Sequence, residues 1–207
     1  MTHLPNKRLQ KASDNMTKLI LGVATNSNGH YKTRIDGKIT KSYKTWQNMV
    51  YRAYCPKYQA RYPTYIGCSV SDEWLDYQVF AEWFENHEYS KHGYHLDKDL
   101  LIPSNKVYAP DRCVFVPQQL NKLLADSGAI RGQYRQGVGF NKQRNKFVAG
   151  IKISGKRKHL GLFETEIDAY HAYKKAKEQY VKDSATHWRD DIADNVFDAL
   201  MNWEVAP

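Results

Sequence analysis

The first half of the chain has apolar residues at helical spacing. Positions i, i+3, i+4 and i+7 are apolar in the stretch 43–54, which predicts a helix. A second helix is predicted over 72–87, where aromatic residues recur at the same spacing and are therefore expected in the core rather than on a stacking surface. The apolar positions of the two helices are Trp46, Met49, Val50, Ala53, Trp74, Tyr77, Phe80, Trp83 and Phe84.

The stretch 94–125 has a different pattern, that of a strand, a long loop, a second strand and a short helix. Polar and apolar residues alternate over 95–99, as in a strand with two unlike faces. An apolar run over 113–116 predicts the second strand. Pro117 suits the first turn of the helix that follows over 118–125.

The stretch 137–183 is predicted to form three antiparallel strands backed by one helix. Thr165 and Asp168 are spaced as in a capping box and open that helix. A last helix over 190–203 has an acidic polar face, so it is expected to pack on the protein rather than to bind DNA. In the second strand, alternation separates two faces: Phe147, Ala149, Ile151 and Ile153 on one, and Lys146, Val148, Gly150 and Lys152 on the other.

These blocks predict an α+β protein with two domains. The segment between the blocks is rich in glycine and poor in large apolar residues, which is typical of a linker. The predicted boundaries are 1–17 for a flexible polar arm, 18–126 for the first domain, 127–136 for the linker, 137–183 for the sheet domain and 184–207 for the acidic amphipathic helix.

Composition argues against a membrane protein and a disulfide-stabilised one. Hydrophobic residues make up 42% of the 207 residues, but no apolar run is long enough to cross a bilayer and the N-terminus has no signal-peptide stretch. A cytoplasmic protein is therefore expected. Three cysteines do not make a disulfide framework, and no C-x-x-C spacing among them supports zinc, although a zinc site stays an open alternative: Cys55, Cys68 and Cys113.

The net charge of +9 is concentrated in one segment. Between Arg131 and His159 there are nine basic residues and no acidic one. Removing these nine from the 31 lysines and arginines leaves 22, which equals the number of acidic residues, 22. A solvated basic face is the alternative, but concentration in one segment favours a surface that binds phosphates.

The basic segment contains several short motifs: Gly137-Val138, the strand from Lys146 to Ala149, the run His159 to Phe163, and the helix after Thr165 with its Ala-Tyr pairs. With these motifs the segment resembles the ethylene-response-factor (Apetala-two type) DNA-binding domain of plants. It implies that exposed sheet residues contact double-stranded DNA. The residues in those positions are Phe140, Lys142, Arg144, Lys146, Lys152, Arg157 and Lys158. The first strand lacks the dense arginines of the plant domains, because Gly139 and Phe140 stand there.

The preceding block contains five motifs in order: Trp46-Gln-Asn-Met49 with Arg52-Ala-Tyr54, Tyr65-Ile-Gly-Cys68 with Trp74, Leu96-Asp97-Lys98-Asp99, Pro110-Asp-Arg-Cys113-Val-Phe115, and Gln118-Gln-Leu-Asn121. With these motifs the block resembles phage homing endonucleases of the HNH group, which carry a ββα-metal finger. The resemblance implies that Asp97 and Asn121 hold Mg²⁺ or Mn²⁺, with Asp99 as a further candidate ligand. Such a cation polarises the scissile phosphate and stabilises the leaving oxygen.

The position of the general base differs from this family. Its members carry histidine after the first-strand aspartate, and here Lys98 stands there. A lysine ammonium ion is a poor base but can hold a phosphate, so His95, on the same strand face as Asp97 and Asp99, is the candidate substitute base. Arg112 likewise replaces the loop asparagine of the family.

The leading expectation is therefore a phage-encoded, metal-dependent endonuclease of HNH homing type that cuts double-stranded DNA. Lys98 and Arg112 favour an alternative, a catalytically inactive DNA-binding protein that keeps the finger as a scaffold. An RNA-binding module fits the charge equally well but has no motif behind it. No small-molecule substrate is expected, and the target site, the cleavage product and the oligomeric state are left open.

Overall fold

A computed structural model of the protein describes residues 19–27, 29–124 and 133–205. The predicted arm and most of the predicted linker lie outside these ranges. Helices and short strands both occur, so the expected α+β class is confirmed. The elements in chain order are β1 (Arg34–Ile35), β2 (Lys38–Ile39), α1 (Lys41–Tyr54), α2 (Pro56–Arg61), β3 (Ser69–Val70), α3 (Tyr77–Asn86), β4 (His95–Asp97), β5 (Val107–Tyr108), β6 (Val114–Val116), α4 (Gln118–Leu124), β7 (Val138–Asn141), β8 (Lys146–Ile153), β9 (Lys156–Phe163), α5 (Glu166–His187) and α6 (Asp194–Met201).

The chain divides into two compact units that differ from the predicted domains. The first comprises Met1–Glu88 and Ser104–Arg112, and the second comprises Tyr89–Pro103 and Cys113–Pro207. Strands β4 and β6 and helix α4, which together we call the finger, therefore belong to the same unit as the three-stranded sheet.

The first unit is built around α1 and α3. Trp46, Tyr77 and Phe80 are fully buried, which confirms that the aromatic residues of these helices form a core. The indole N–H of Trp46 donates to the carbonyl oxygen of Trp74 at 2.8 Å, which satisfies a buried donor. Strand β3 pairs in parallel with β5 in this unit.

The second predicted helix is divided in the structure. A 3₁₀ turn spans Asp72–Leu75, and α3 begins only at Tyr77. Asp76 is the N-cap, and its carboxylate accepts from the backbone N–H of Gln78 at 3.0 Å. An N-cap residue is itself non-helical, so the cap at this position separates the two pieces.

The sheet domain follows the predicted pattern of three strands and a helix. Strands β7, β8 and β9 form an antiparallel sheet in that order, and Thr165 caps α5 by accepting from the backbone N–H of Asp168 at 3.2 Å. The domain begins before Gly137, because Tyr134 packs against Phe147 and Arg135 donates to Glu166 within the predicted linker. Its core comprises Ile151, Tyr170, Tyr173 and Val205, with Val138, Ile153, Leu160, Ala176, Tyr180 and Trp203 packed around them.

The finger shares a second core with the C-terminal helices. Apolar residues of β6, α4, α5 and α6 bury one another, which explains why the finger groups with the C-terminal half of the chain. This cluster confirms that the last helix packs on the protein. Its buried members are Leu100, Val114, Val116, Leu120, Val181, Ala185, Ile192, Val196 and Leu200.

The last helix is shorter than predicted. Helix α5 continues to His187, Arg189–Asp191 form a 3₁₀ turn, and Ile192 has an extended backbone. A helix cannot run through an extended residue, so α6 begins at Asp194 rather than near Asp190. Within the described residues, none of the helices has both the length and the apolar character needed to cross a bilayer.

Candidate nucleic-acid interface and cation site

The pairing of the strands assigns each basic residue to one face of the sheet. Directly opposed residues of antiparallel strands point to the same side. Ala149 and Ile151 are buried towards the core, so Lys152, which follows Ile151, and its partner Arg157 point the other way. We call this side the open face; its members are Gly139, Asn141, Lys146, Val148, Gly150, Lys152, Arg157, His159 and Leu162.

Two residues predicted on the DNA-binding face lie on the opposite face. Phe140 is paired with Phe147, and their rings are 5.1 Å apart between centroids, on the same side as Ala149. Lys158 is paired with Ile151 and so also points to the core side, where its side chain is nevertheless exposed. Alternation within a single strand does not show which of its two faces meets the core. The pairing register with the neighbouring strand determines that.

Lys142 and Arg144 lie in the turn between β7 and β8. Both are exposed at the end of the sheet. The backbone N–H of Arg144 donates to the side chain of Asn141 at 3.0 Å, which orders the turn. Their charges therefore extend the basic surface beyond the strands.

The basic residues of the open face differ in their partners. Lys146 is 2.7 Å from a carboxylate oxygen of Glu164. Over the residues that the structure describes, neither Lys152 nor Arg157 has a carboxylate partner, and the two are directly opposed across β8 and β9. Like charges in such a pair destabilise a sheet, so this pair disfavours folding unless an anion is bound.

His159 and Gly150 also belong to the open face, and neither was predicted there as a functional residue. They are paired with each other next to a β-bulge between Ala149 and Gly150. Regular alternation puts His159 on the same face as Arg157, and Leu160, the extra residue of the bulge, packs on the core. The sequence did contain a signal for Gly150, because alternation along β8 places it on the same strand face as Lys146.

The finger brings together the two residues predicted to hold a metal ion. Asp97 ends β4 opposite Val114 of β6, and Asn121 lies in the first turns of α4. The Asn121 side-chain nitrogen is 3.3 Å from Oδ2 of Asp97. Leu96 and Leu120, the residues that precede Asp97 in the strand and Asn121 in the helix, are both buried.

The other oxygen of Asp97 is occupied by the backbone. Oδ1 accepts from the backbone N–H of Asp99 at 3.0 Å and from that of Leu100 at 2.8 Å. These two bonds close a turn directly after the strand and fix the carboxylate. Oδ2 is consequently the oxygen that faces Asn121.

The carboxyl group of Asp97 has an unusual pKa. Burial, reinforced by the nearby charge of Asp99, raises it to about 6, while the two backbone N–H groups act in the opposite direction. Both main causes disfavour the ionised form. A cation bound to this carboxylate would favour the ionised form and so lower the pKa of Asp97.

Lys98 and Asp99 form an ion pair beside Asp97. Lys98 is only 6% exposed, and its ammonium group is 2.9 Å from Oδ2 of Asp99, whose side chain is half exposed. Strand β4 ends at Asp97, so the predicted alternation does not extend to Asp99, and its carboxylate is directed to Lys98. His95 is exposed and lies on the same side of β4 as Asp97.

The donor set of Asp97 and Asn121 suits a hard divalent cation. Both residues supply oxygen, since a half turn of the Asn121 amide brings its Oδ1 to Asp97. Mg²⁺ binds oxygen at about 2.1 Å, so neighbouring ligands of its octahedron lie about 3 Å apart. The 3.3 Å distance from Nδ2 of Asn121 to Oδ2 of Asp97, a position that Oδ1 would take after such a turn, is close to that spacing.

Within the part of the chain that the structure describes, this pair does not belong to a larger ligand cluster. Among the described residues no group of three or more histidine, cysteine, aspartate or glutamate side chains converges as a metal site. None of the three cysteines is in a disulfide, and Cys68 and Cys113 are buried. Arg112, in the first unit, has its guanidinium group 3.6 Å from the carboxylate of the exposed Asp111.

The site can therefore be described as an exposed cationic sheet face in the same compact unit as a finger with one potential cation-binding pair. Comparison of the chain with protein-family models, with curated proteins and with solved structures finds no match to any of them.

Proposed function

We propose that this chain is a metal-dependent DNA endonuclease of the HNH type that docks on duplex DNA through the open face of its sheet. The observation that supports a nuclease is the 3.3 Å hydrogen bond from Nδ2 of Asn121 to Oδ2 of Asp97, because it brings a carboxylate of the strand next to a carboxamide of the following helix. This is the ligand arrangement that the resemblance to HNH homing endonucleases implies. It would act in the cytoplasm of a bacterial host as a phage-encoded protein.

In this proposal the two ligands of the finger hold Mg²⁺ or Mn²⁺. Asp97 contributes Oδ2 and Asn121 contributes Oδ1. The bound cation would polarise the scissile phosphate and stabilise the leaving oxygen. Since the Asp97 Oδ1 is held by two backbone N–H groups, the carboxylate keeps its orientation without help from the metal.

The remaining polar residues of the finger have distinct roles in the proposal. His95 is exposed on the Asp97 side of β4 and is the candidate base that takes a proton from water. Lys98 donates to Asp99 and so fixes the turn that follows the ligand. Asp99 influences the site through its charge near Asp97 rather than as a ligand.

Docking is supported by the unpaired charges of the sheet. Lys152 and Arg157 face the same side without a carboxylate partner in the described ranges, and Lys142 and Arg144 extend the surface at the turn. Cations arranged in this way favour a polyanion. The antiparallel sheet with exposed side chains is of the kind that fits into a major groove.

Nicking of supercoiled plasmid tests the nuclease. We expect relaxed plasmid in the presence of Mg²⁺ or Mn²⁺, and none after addition of EDTA or in the Asp97→Ala and Asn121→Ala variants. Asp111→Ala is the matched control, because it removes an exposed carboxylate outside the finger and is expected to cut normally.

A second function is favoured by Lys98. Lysine occupies the position of the usual base and is tied to Asp99, so the finger could be a scaffold in a DNA-binding protein without catalysis. Tight binding of a specific duplex with no cleavage under any divalent cation would establish that function in place of the enzyme. Lys98→His would then be expected to leave the protein inactive.

The docking surface is tested by binding at several salt concentrations. Arg144→Ala combined with Arg157→Ala should weaken binding and flatten its dependence on salt, by about 0.9 in the logarithmic slope for each phosphate that the variant no longer neutralises. Lys175→Ala with Lys182→Ala removes two charges from α5 on the other side of the sheet and is the matched control. An unchanged slope in the first pair would place the DNA surface elsewhere.

A further inference from the structure

Gly150 lies at the centre of the open face, and the side chain of Arg157 lies over it. A Cβ atom built on Gly150 would be 3.3 Å from Nε of Arg157 and 3.6 Å from its Nη2. The guanidinium group therefore occupies the space above the glycine. Both residues belong to the same sheet face, since Gly150 pairs with His159 and Arg157 with Lys152.

The φ angle of Gly150 does not require glycine, although the adjacent β-bulge and the carbonyl oxygen of Lys158, 3.4 Å from a built Cβ, also favour a small residue here. Gly150 is not among the residues with positive φ, so an L-amino acid can adopt its conformation. Within a strand, glycine costs stability relative to residues with side chains. The property that only glycine supplies here is room above the strand.

That room affects how Arg157 presents its charge. A guanidinium group is planar and offers its N–H donors in a fixed fork, which matches the oxygens of a phosphate. Lying flat on the strand, the side chain has fewer conformations to lose when a phosphate binds. Over the residues described, no carboxylate competes for it.

We infer that Gly150 is a positioning residue, whose missing side chain lets Arg157 lie flat on the sheet and bind a phosphate of duplex DNA. The inference rests on the proposed docking function of the open face, and it deepens it by assigning the phosphate contact to an arginine held by a specific glycine. It does not depend on whether the finger cuts DNA.

The test compares Gly150→Val, Arg157→Ala and the double variant in binding to a duplex of mixed sequence. We expect each single variant to bind about tenfold more weakly, the value of one charge-assisted contact, with a lower salt slope. The double variant should bind no more weakly than Arg157→Ala alone. Gly150→Ala should give a smaller loss, because its single methyl group requires Arg157 to move by only a few tenths of an ångström.

Gly139→Val is the matched control. Gly139 lies on the same face, also without positive φ, and a Cβ there would be 3.3 Å from Cγ1 of Val148, so the steric demand is the same without an arginine. Because Gly139 belongs to the open face, any loss of binding in this variant should add to that of Arg157→Ala, whereas the loss in Gly150→Val should not. Urea unfolding of every variant shows whether the sheet is intact, and Gly150→Ala keeps the test valid if valine at position 150 unfolds the protein.

Two results would overturn the inference while the docking function stands. One is normal binding by Gly150→Val when Arg157→Ala binds weakly, and the other is additive losses in the double variant. If Arg157→Ala itself binds normally at every salt concentration, the open face is not the DNA surface, and the proposed docking fails together with the inference.

Discussion

Lys152 of the sheet and Lys98 of the finger belong to the same compact unit but differ in their surroundings. Lys152 is exposed, is directly opposed to Arg157 and has no carboxylate partner within the described ranges. Lys98 is buried and its ammonium group contacts Asp99 at 2.9 Å. One lysine keeps its charge available to solvent, and the other has its charge satisfied inside the protein.

The difference separates two kinds of evidence about function. A repulsive pair of exposed cations lowers the stability of a sheet, so an external anion is a natural explanation for it. A buried and paired cation is explained by the fold itself and indicates no ligand. The docking proposal therefore rests on an arrangement that disfavours folding, whereas the nuclease proposal rests on the Asp97–Asn121 pair and not on Lys98.

The largest expected effect concerns the core that supports the finger. Leu200→Ala removes a fully buried side chain that packs with the finger residues Val114, Val116 and Leu120. We expect the free energy of unfolding to fall by about 2–5 kcal/mol in urea titrations. The core of the sheet domain has other members, so DNA binding at low urea should be retained.

Ile102→Ala is the control for this change. Its side chain is 46% exposed, so its loss should alter the free energy of unfolding by less than about 0.5 kcal/mol. Loss of DNA binding by folded Leu200→Ala would contradict this expectation, because it would mean that DNA binding by the open face depends on the finger.

Alternation and capping predicted much of the sheet domain. The inner face of β8, with Ala149 and Ile151 buried, follows from the period of two, and the start of α5 follows from Thr165 and Asp168. These features depend on residues close together in the sequence. The pairing of Asp97 with Asn121 was predicted from a family resemblance, since no local pattern relates residues 24 positions apart.

The features that could not be predicted from the sequence depend on contacts between residues far apart in the chain. Phe140 was assigned to the wrong face because its orientation depends on pairing with Phe147. The finger was assigned to the first domain because its packing against Val196 and Leu200 cannot be read from its own residues. The space above Gly150 likewise depends on Arg157 of the next strand.

A smaller effect is expected from the titration of Asp97. Its pKa is about 6 in the folded protein and near the ordinary value of 3.8 when unfolded, so the fold binds this proton more tightly. The carboxyl group therefore contributes stability that is complete below about pH 4 and is lost as the pH rises through 6. In EDTA, the free energy of unfolding of the protein relative to Asp97→Asn should fall over this range, by on the order of 2 kcal/mol.

Magnesium should reverse this loss if Asp97 is a ligand. At pH 7.5, Mg²⁺ is expected to raise the unfolding midpoint of the unmodified protein and to leave that of Asp97→Asn unchanged. Parallel pH curves for the two proteins would show that Asp97 is not titrating in the folded state. An equal Mg²⁺ effect on both would place the cation elsewhere.

The smallest expected effect addresses the charges of the sheet most directly. Arg157→Glu converts the opposed pair with Lys152 from like charges to opposite charges, so it should raise the free energy of unfolding by about 0.5 kcal/mol while weakening DNA binding more than Arg157→Ala does. Lys158→Glu is the matched control, because its partner Ile151 has no charge and no such gain is expected. The gain should shrink in about 1 M salt, where screening acts over about 3 Å. Unfolding of Arg157→Glu at a lower urea concentration than the unmodified protein would mean that Lys152 and Arg157 do not repel each other, and the case for an anion at the open face would lose its main physical support.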